Sequence, residues 1–373
     1  MRVMIVVTHL LGTGHLARAL TLARAYAAAG HDITVASGGL PVPHFDAGGV
    51  HLAQLPPLRS DGTDFTTLLD ADGMEATARY RTDRIARLLD LFRSDPPDVL
   101  ITELFPFGRR TLRDEFCALL EAAHETVVFA SVRDILAPPS KPAKAAFADE
   151  MVQRHYAGVL VHADPQIITL HRSWPVSDSL APHLHYTGFV APPAPLNDTA
   201  RGEDIVVSAG GGLVGDAIFE AALAAGAAQP DRRWHLLVGG DPDRRANLTR
   251  HATPNVRVEA PRPDFRALLA RAVASVSMCG YNTALDLLQT GTPAVIIPFD
   301  DGNEVEQSLR AEALGALPGI AVLRQAELTP DALQTALQLC TTEARAPRQR
   351  GMDGAAETVR ITQHLWNARH GTA

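Results

Sequence analysis

His15 follows two glycines in the stretch Gly12-Thr13-Gly14-His15, which joins a β-branched run, Arg2 to Thr8, to a helical pattern. An imidazole titrates near physiological pH, so beside such a loop it can take a hydroxyl proton or donate a hydrogen bond to an anion. Groups of the same kind stand at the ends of three further runs. Glu103 closes Asp98 to Thr102, Arg133 and Asp134 follow Thr126 to Ser131, and His162 and Asp164 close the run that begins at Gly158. Glu103 or Asp134 can orient His15 or serve as the base in its place. Taken alone, each of these residues is equally well explained as a hydrogen-bonded loop residue or a helix cap; His15 beside its glycines is the least ordinary. A second glycine run, Ser208-Ala209-Gly210-Gly211-Gly212, follows Asp204 to Val207. Glycine between a parallel strand and a helix lets backbone N–H groups approach negative charge. One such junction in each half implies a ligand held between the two halves.

The second half carries a denser pattern, Ser277 to Asp286, then Gly291 to Phe299, then Asn303 to Gln307. A strand ends at Gly280 and the next helix begins with polar side chains, which places Asp286 where a carboxylate can accept ribose hydroxyls. Glu306 and Gln307 follow another strand end and can read sugar hydroxyls. Three acidic pairs have the composition of a metal site: Asp70-Ala71-Asp72, Asp241-Pro242-Asp243 and Asp300-Asp301. The first lies in a polar loop and the second in a turn, so no metal site is expected, although Asp300 or Asp301 is better placed.

These residues need a scaffold of alternating strands and helices. Short β-branched runs alternate with Ala/Leu/Arg-rich helical stretches, the pattern of parallel sheets covered by helices. In the second half the strands are expected at Asp204 to Val207, Trp234 to Val238, Val256 to Glu259, Ala274 to Ser277 and Ala294 to Pro298. Asp32 to Ala36 completes the first half. A chain of 373 residues suits two domains, here 1–190 and 204–345, joined by a proline-rich linker over 191–203, with a helical tail over 346–373 whose docking is unspecified. A net charge of −8 argues against a surface that binds nucleic acid. Three dispersed cysteines argue against a disulfide framework and favour a cytoplasmic setting. No secretory cleavage pattern and no bilayer-length apolar run is present. Arg79, Arg81, Arg84, Arg87 and Arg93 load one helix and are expected to form a solvated face, with contact to an anionic acceptor or a membrane surface as the alternative. Trp174, Trp234 and Trp366 are expected to be packing residues.

The chain resembles GT-B glycosyltransferases of the MurG-like, family 28 type over nearly its whole length. Leu10 to Ala19 resembles the amino-terminal Gly-rich motif, and Cys279 to Asp286 with Gly291 to Pro298 resembles the donor-binding motif. Glu103 to Arg110, Ser131 to Leu136 and Leu160 to Pro165 resemble signatures of a bacterial subgroup of predicted glycosyltransferases. The resemblance implies two Rossmann-like parallel-sheet domains facing a central cleft and a UDP-sugar as co-substrate, with no other cofactor. It implies that Gly210, Gly211 and Gly212 cradle the diphosphate after Ser208, that Asp286 binds ribose in place of the usual Glu, and that backbone around Arg262 reads uracil. Cys279, Gly280, Tyr281, Asn282, Thr283, Asp300, Glu306 and Gln307 would complete the donor site. Thr13, Gly14, Arg133 and His162 would line the acceptor or diphosphate side. The implied reaction is inverting, metal-independent sugar transfer, from UDP-GlcNAc or a UDP-hexose to an unidentified acceptor, with His15 as first choice of base and Glu103 second. A UDP-sugar hydrolase or epimerase, which shares the pattern Gly12 to Arg18, and an inactive nucleotide-sugar-binding protein are the alternatives.

Overall fold

Runs of Val, Ile and Leu without alternation suit strands covered on both faces, as in the interior of a parallel sheet. In the computed structural model, which describes residues 1–43, 45, 47–60, 67–195, 202–209, 214–300 and 304–371, such runs form two sheets. One unit comprises Met1–Pro192 with Asp353–Ala373, the other Pro193–Met352.

In the first unit the described strands are β1 (Arg2–Val7), β2 (Asp32–Ser37), β3 (His51–Gln54), β4 (Val99–Glu103), β5 (Val127–Arg133), β6 (Gly158–His162) and β7 (Leu184–Tyr186). Their order is β3-β2-β1-β4-β5-β6-β7, with every neighbouring pair parallel. Helices α1 (Gly14–Ala28), α2 (Ala78–Ser94), α3 (Arg113–Ala122) and α4 (Pro142–His155) connect them. Beyond α1, Gly30 adopts φ +79°, a left-handed turn that favours glycine.

The second unit repeats the plan. Its strands are β8 (Asp204–Ser208), β9 (Arg233–Leu237), β10 (Val256–Glu259), β11 (Ala274–Ser277), β12 (Ala294–Ile296) and β13 (Ile320–Val322). They run β10-β9-β8-β11-β12-β13, again all parallel. Its helices are α5 (Asp216–Ala228), α6 (Pro242–Arg250), α7 (Phe265–Arg271), α8 (Tyr281–Thr290), α9 (Glu306–Leu314) and α10 (Pro330–Thr342). The final helix, α11 (Gly354–His370), belongs to the first unit. There the Tyr26 hydroxyl of α1 meets Thr362 Oγ1 at 2.6 Å. Gly354 fits against the backbone of Gly188 and Phe189 where a Cβ would collide. No helix among the described residues is long and apolar enough to cross a membrane.

Several expectations change. Edge strands β3, β7 and β13 are additions, with Tyr186 the last residue of β7. β12 stops at Ile296, two residues short of Pro298, which has no N–H for a ladder. Arg84 is not part of a solvated face: it is fully buried, with Nε 2.5 Å from Glu115 Oε2, Nη1 3.0 Å from Gly38 O and Nη2 3.0 Å from Thr8 Oγ1. Arg79, Arg87 and Arg93 are exposed. Trp174 and Trp234 are buried, and Trp174 packs edge-on against Phe107.

Candidate active site and donor-binding motif

Strand order reverses between β1 and β4 in the first sheet and between β8 and β11 in the second. At such a reversal the two following connections leave on opposite faces, opening a crevice past the strands' carboxyl ends. In the first unit the Gly12–His15 loop and Glu103 meet at this point. His15, in the first turn of α1, places Nδ1 2.9 Å from Oε1 of Glu103, the last residue of β4. Arg18, one turn further along α1 and on the same face, forms an ion pair with the same oxygen. Ser131 of β5 lies in register with Glu103, and its hydroxyl donates to Oε2 at 2.6 Å. The loop leaving Glu103 turns sharply, with Leu104 at φ +70° and Arg109 at φ +56°. Left-handed backbone is costly for side chains of this size and is tolerated where surrounding structure holds it; here the Leu104 N–H is tied to Ser131 O at 2.8 Å.

The electrostatics assign the protons. Burial pushes the His15 imidazole down to about 4; the bond to Glu103 opposes this, and Arg18 and Arg109 add to it. Burial alone would raise the Glu103 carboxyl, but Arg18, His15 and Ser131 together hold it well below the usual carboxylate range. An ionised carboxylate only accepts, so a neutral His15 donates from Nδ1 and leaves the Nε2 lone pair available. The arrangement is that of a base oriented by a carboxylate.

Asp134 follows β5 directly. It is 1 % exposed, and its Oδ1 accepts from the Ile135 N–H at 2.8 Å. His162 is displaced from its expected role on the ligand side: it is fully buried and bonded through both ring nitrogens, to Ser131 and Thr187. Arg133 closes β5, half-buried, and Thr13 stands before α1 without capping it through its side chain. A cavity of about 240 Å³ adjoins the Gly12–His15 loop, lined by His9, Leu10, Leu11, Thr13, Leu40, Pro41, Val42, Pro43 and Arg59.

Glycines at both sheet reversals lack a packing reason. A Cβ at Gly12, Gly14 or Gly280 would meet nothing within 4 Å, and none of the three has positive φ. Among the described residues neither backbone conformation nor neighbouring atoms demand glycine there.

In the second unit Ser208 closes β8, 7 % exposed, and Gly210, Gly211 and Gly212 lie outside the described residues, as do Asp301 and Asn303. Gly280 precedes α8, whose amino terminus has no side-chain cap. The α8 N–H groups can therefore serve an anion. Cys279 is buried, Tyr281 and Thr283 are half-buried, and Asn282 is exposed. Asp286 is 8 % exposed; its Oδ1 already receives Arg266 Nε at 2.7 Å, and burial raises its carboxyl against the pull of Arg266. The carbonyl of Gln307 is taken by the backbone N–H groups of Cys279 and Phe299, at 3.0 and 3.2 Å. Gln307 thus shapes the two loops, and only its amide NH2 remains to address a ligand. Glu306 opens α9 and Asp300 is exposed. The Arg262 side chain is held by Asp264, at 2.7 and 2.8 Å, and by Glu259. The other acidic pairs have local roles: Asp70 accepts from Asp72 and Met74 N–H groups, and Asp241 caps α6.

The description Glycosyltransferase family 28 C-terminal domain matches residues 207–364. That match lies in the second half and covers less than half of the chain. The chain is 38 % identical over 77 residues to the UDP-N-acetylglucosamine–N-acetylmuramyl-(pentapeptide) pyrophosphoryl-undecaprenol N-acetylglucosamine transferase of Rippkaea orientalis, covering 21 % of this chain and 22 % of that protein. The match spans less than a third of the length of such relatives. The fold is GT-B. It is similar to CalG4, the calicheamicin glycosyltransferase, with TM-score 0.66 at 17 % identity over 99 % of this chain and 98 % of that one. It is also similar to Acinetobacter baumannii MurG, with TM-score 0.63 at 14 % identity over 97 % and 99 %.

Three residues escaped the sequence reading of the site. Arg18 was signalled by its spacing of one helical turn from His15, and Ser131 by a hydroxyl inside the apolar run Val127–Arg133. Thr187 had no signal, since it follows a strand too short to be recognised.

Proposed function

We propose that this protein transfers a sugar from UDP-GlcNAc or a UDP-hexose to a hydroxyl of its acceptor, with inversion at the anomeric carbon and without a metal. The observation that carries this reading is the 2.9 Å contact between His15 and a buried, ionised Glu103. His15 Nε2 takes the acceptor proton as the oxygen attacks the anomeric carbon, and Glu103 stabilises the imidazolium that forms. The sugar–phosphate bond breaks and UDP leaves with the bonding pair. Its charge is met by the uncapped amino terminus of α8 and by the N–H groups beside Gly280.

The uridine and GlcNAc assignment follows the relatives, which are N-acetylglucosamine transferases by name. Asp286 is assigned to ribose through the oxygen that Arg266 does not occupy. The apolar cavity lined by Leu10, Leu11 and Thr13, next to the Gly12–His15 loop, supports an acceptor with an apolar portion. A cytoplasmic setting fits a chain whose three cysteines form no disulfide.

The test is UDP release from a panel of UDP-sugars with and without candidate acceptors. Acceptor-dependent release that His15→Ala lowers at least about 100-fold is expected for a general base. Release that needs no acceptor, or that survives His15→Ala, refutes the reading.

A further inference from the structure

Behind the His15–Glu103 pair runs a buried chain of polar groups. Glu103 Oε2 is 2.6 Å from Ser131 Oγ, Ser131 Oγ is 2.9 Å from His162 Nε2, and His162 Nδ1 is 2.9 Å from Thr187 Oγ1. Ser131 and His162 are fully buried, and Thr187 is 2 % exposed. Such a chain is costly inside a sheet unless its protons are consistently ordered.

Two orderings exist. The Thr187 hydroxyl has one proton and lies 2.8 Å from Gly188 O as well as 2.9 Å from His162. If Thr187 donates to Gly188, a neutral His162 must carry its proton on Nδ1, the Ser131 hydroxyl must turn to Nε2, and Glu103 loses a donor. If Thr187 donates to His162, the Nε2–H of His162 donates to Ser131, and Ser131 donates to Glu103. A buried carboxylate favours the second ordering, because hydrogen bonds to charge are the stronger kind. The proton position at His162 therefore decides how fully Glu103 is solvated by the protein.

We propose that Ser131 and His162 are positioning residues: through Glu103 they hold His15 with its proton on Nδ1, so that Nε2 is the atom presented to the acceptor. This rests on His15 being the base. A purely structural role predicts no effect on His15, since neither residue touches it in the hydrogen-bond chain.

The experiment uses ¹⁵N NMR of the His15 ring in the full-length protein without substrate, together with the pH profile of turnover. Wild type is expected to show His15 almost wholly as the Nδ1–H form. Ser131→Ala removes one hydroxyl, and in this variant and in His162→Phe the two tautomers are expected to mix. The acid limb of kcat then moves to lower pH, because a Glu103 no longer held in place by Ser131 stabilises the imidazolium less. Loss of a hydrogen bond to charge implies a fall in kcat of about 10- to 100-fold. His162→Gln keeps a donor toward Ser131 and is expected to restore the wild-type tautomer. An unchanged tautomer ratio and acid limb in Ser131→Ala overturns the proposal, as does His162→Gln behaving like His162→Phe. The NMR arm needs no turnover, so its failure is distinguishable from failure of the transferase reading.

Discussion

Gly14→Ala separates stability from function. Gly14 is the first residue of α1, its φ lies outside the left-handed range, and a Cβ placed there meets nothing within 4 Å. Alanine should therefore fit the native backbone without strain while restricting the unfolded chain. For a compatible glycine this stabilises by about 0.4–1 kcal/mol. In a unit of this size that raises the apparent Tm by about 1–4 °C. The same methyl occupies the open space preceding His15, where the proposed function places the acceptor or the phosphates. A ligand forced back by one methyl is expected to lose about 10-fold or more in kcat/KM, equivalent to about 1.4 kcal/mol of transition-state binding. Calorimetry on the free protein and acceptor-dependent UDP release measure the two effects separately. Turnover that rises with stability, or stays unchanged, refutes a ligand-based reason for this glycine. A fall in Tm refutes the steric analysis.

Acidification should destabilise the first unit. The His15 pKa is about 4 in the fold against 6.5 as the ordinary value, so the unfolded chain gains a proton first as pH falls. Stability present above pH 6.5 is lost down to about 4, roughly 3 kcal/mol from this residue. Urea unfolding at neutral and acid pH should show this slope in wild type and a weaker one in His15→Gln. Arg84→Leu leaves Glu115 buried without its guanidinium and should cost about 3–5 kcal/mol, most of it recovered when Glu115→Leu is added, as a double-mutant cycle would show. Asp286→Asn preserves shape but removes the charge facing Arg266 and the assigned ribose. UDP affinity by calorimetric titration should fall about 5- to 10-fold, and an unchanged Kd removes Asp286 from the donor site.

The interior strands were legible because burial on both faces leaves an apolar, Val-rich run without alternation, as in Val3 to Val7 and Val127 to Ala130. The edge strands were not. His51–Gln54 and Leu184–Tyr186 are short and partly exposed, so their pairing depends on a neighbour that no local pattern announces. Arg84 misled because helix periodicity reports which residues share a face, while its burial follows from acceptors brought by Thr8, Gly38 and Glu115. The His15–Glu103 contact was accessible as a hypothesis because ligand sites collect at strand ends. Its choice over Asp134 required the register of β4 and β5. The docking of α11 was hidden for a different reason: its buried face mixes Gly354, Thr358 and Thr362 with Val359 and Ile361, and such a face marks a packing helix without naming α1 as its partner.

That closing helix sets an order of events during synthesis. The second unit is contiguous, Pro193–Met352, whereas the first is assembled from Met1–Pro192 and the final segment. A ribosome therefore delivers everything the second unit needs before it delivers the helix that covers α1. Until Tyr26 finds Thr362, the nascent first unit presents an uncovered flank to chaperones, and a premature stop near residue 352 would leave that flank bare while the second unit stands complete.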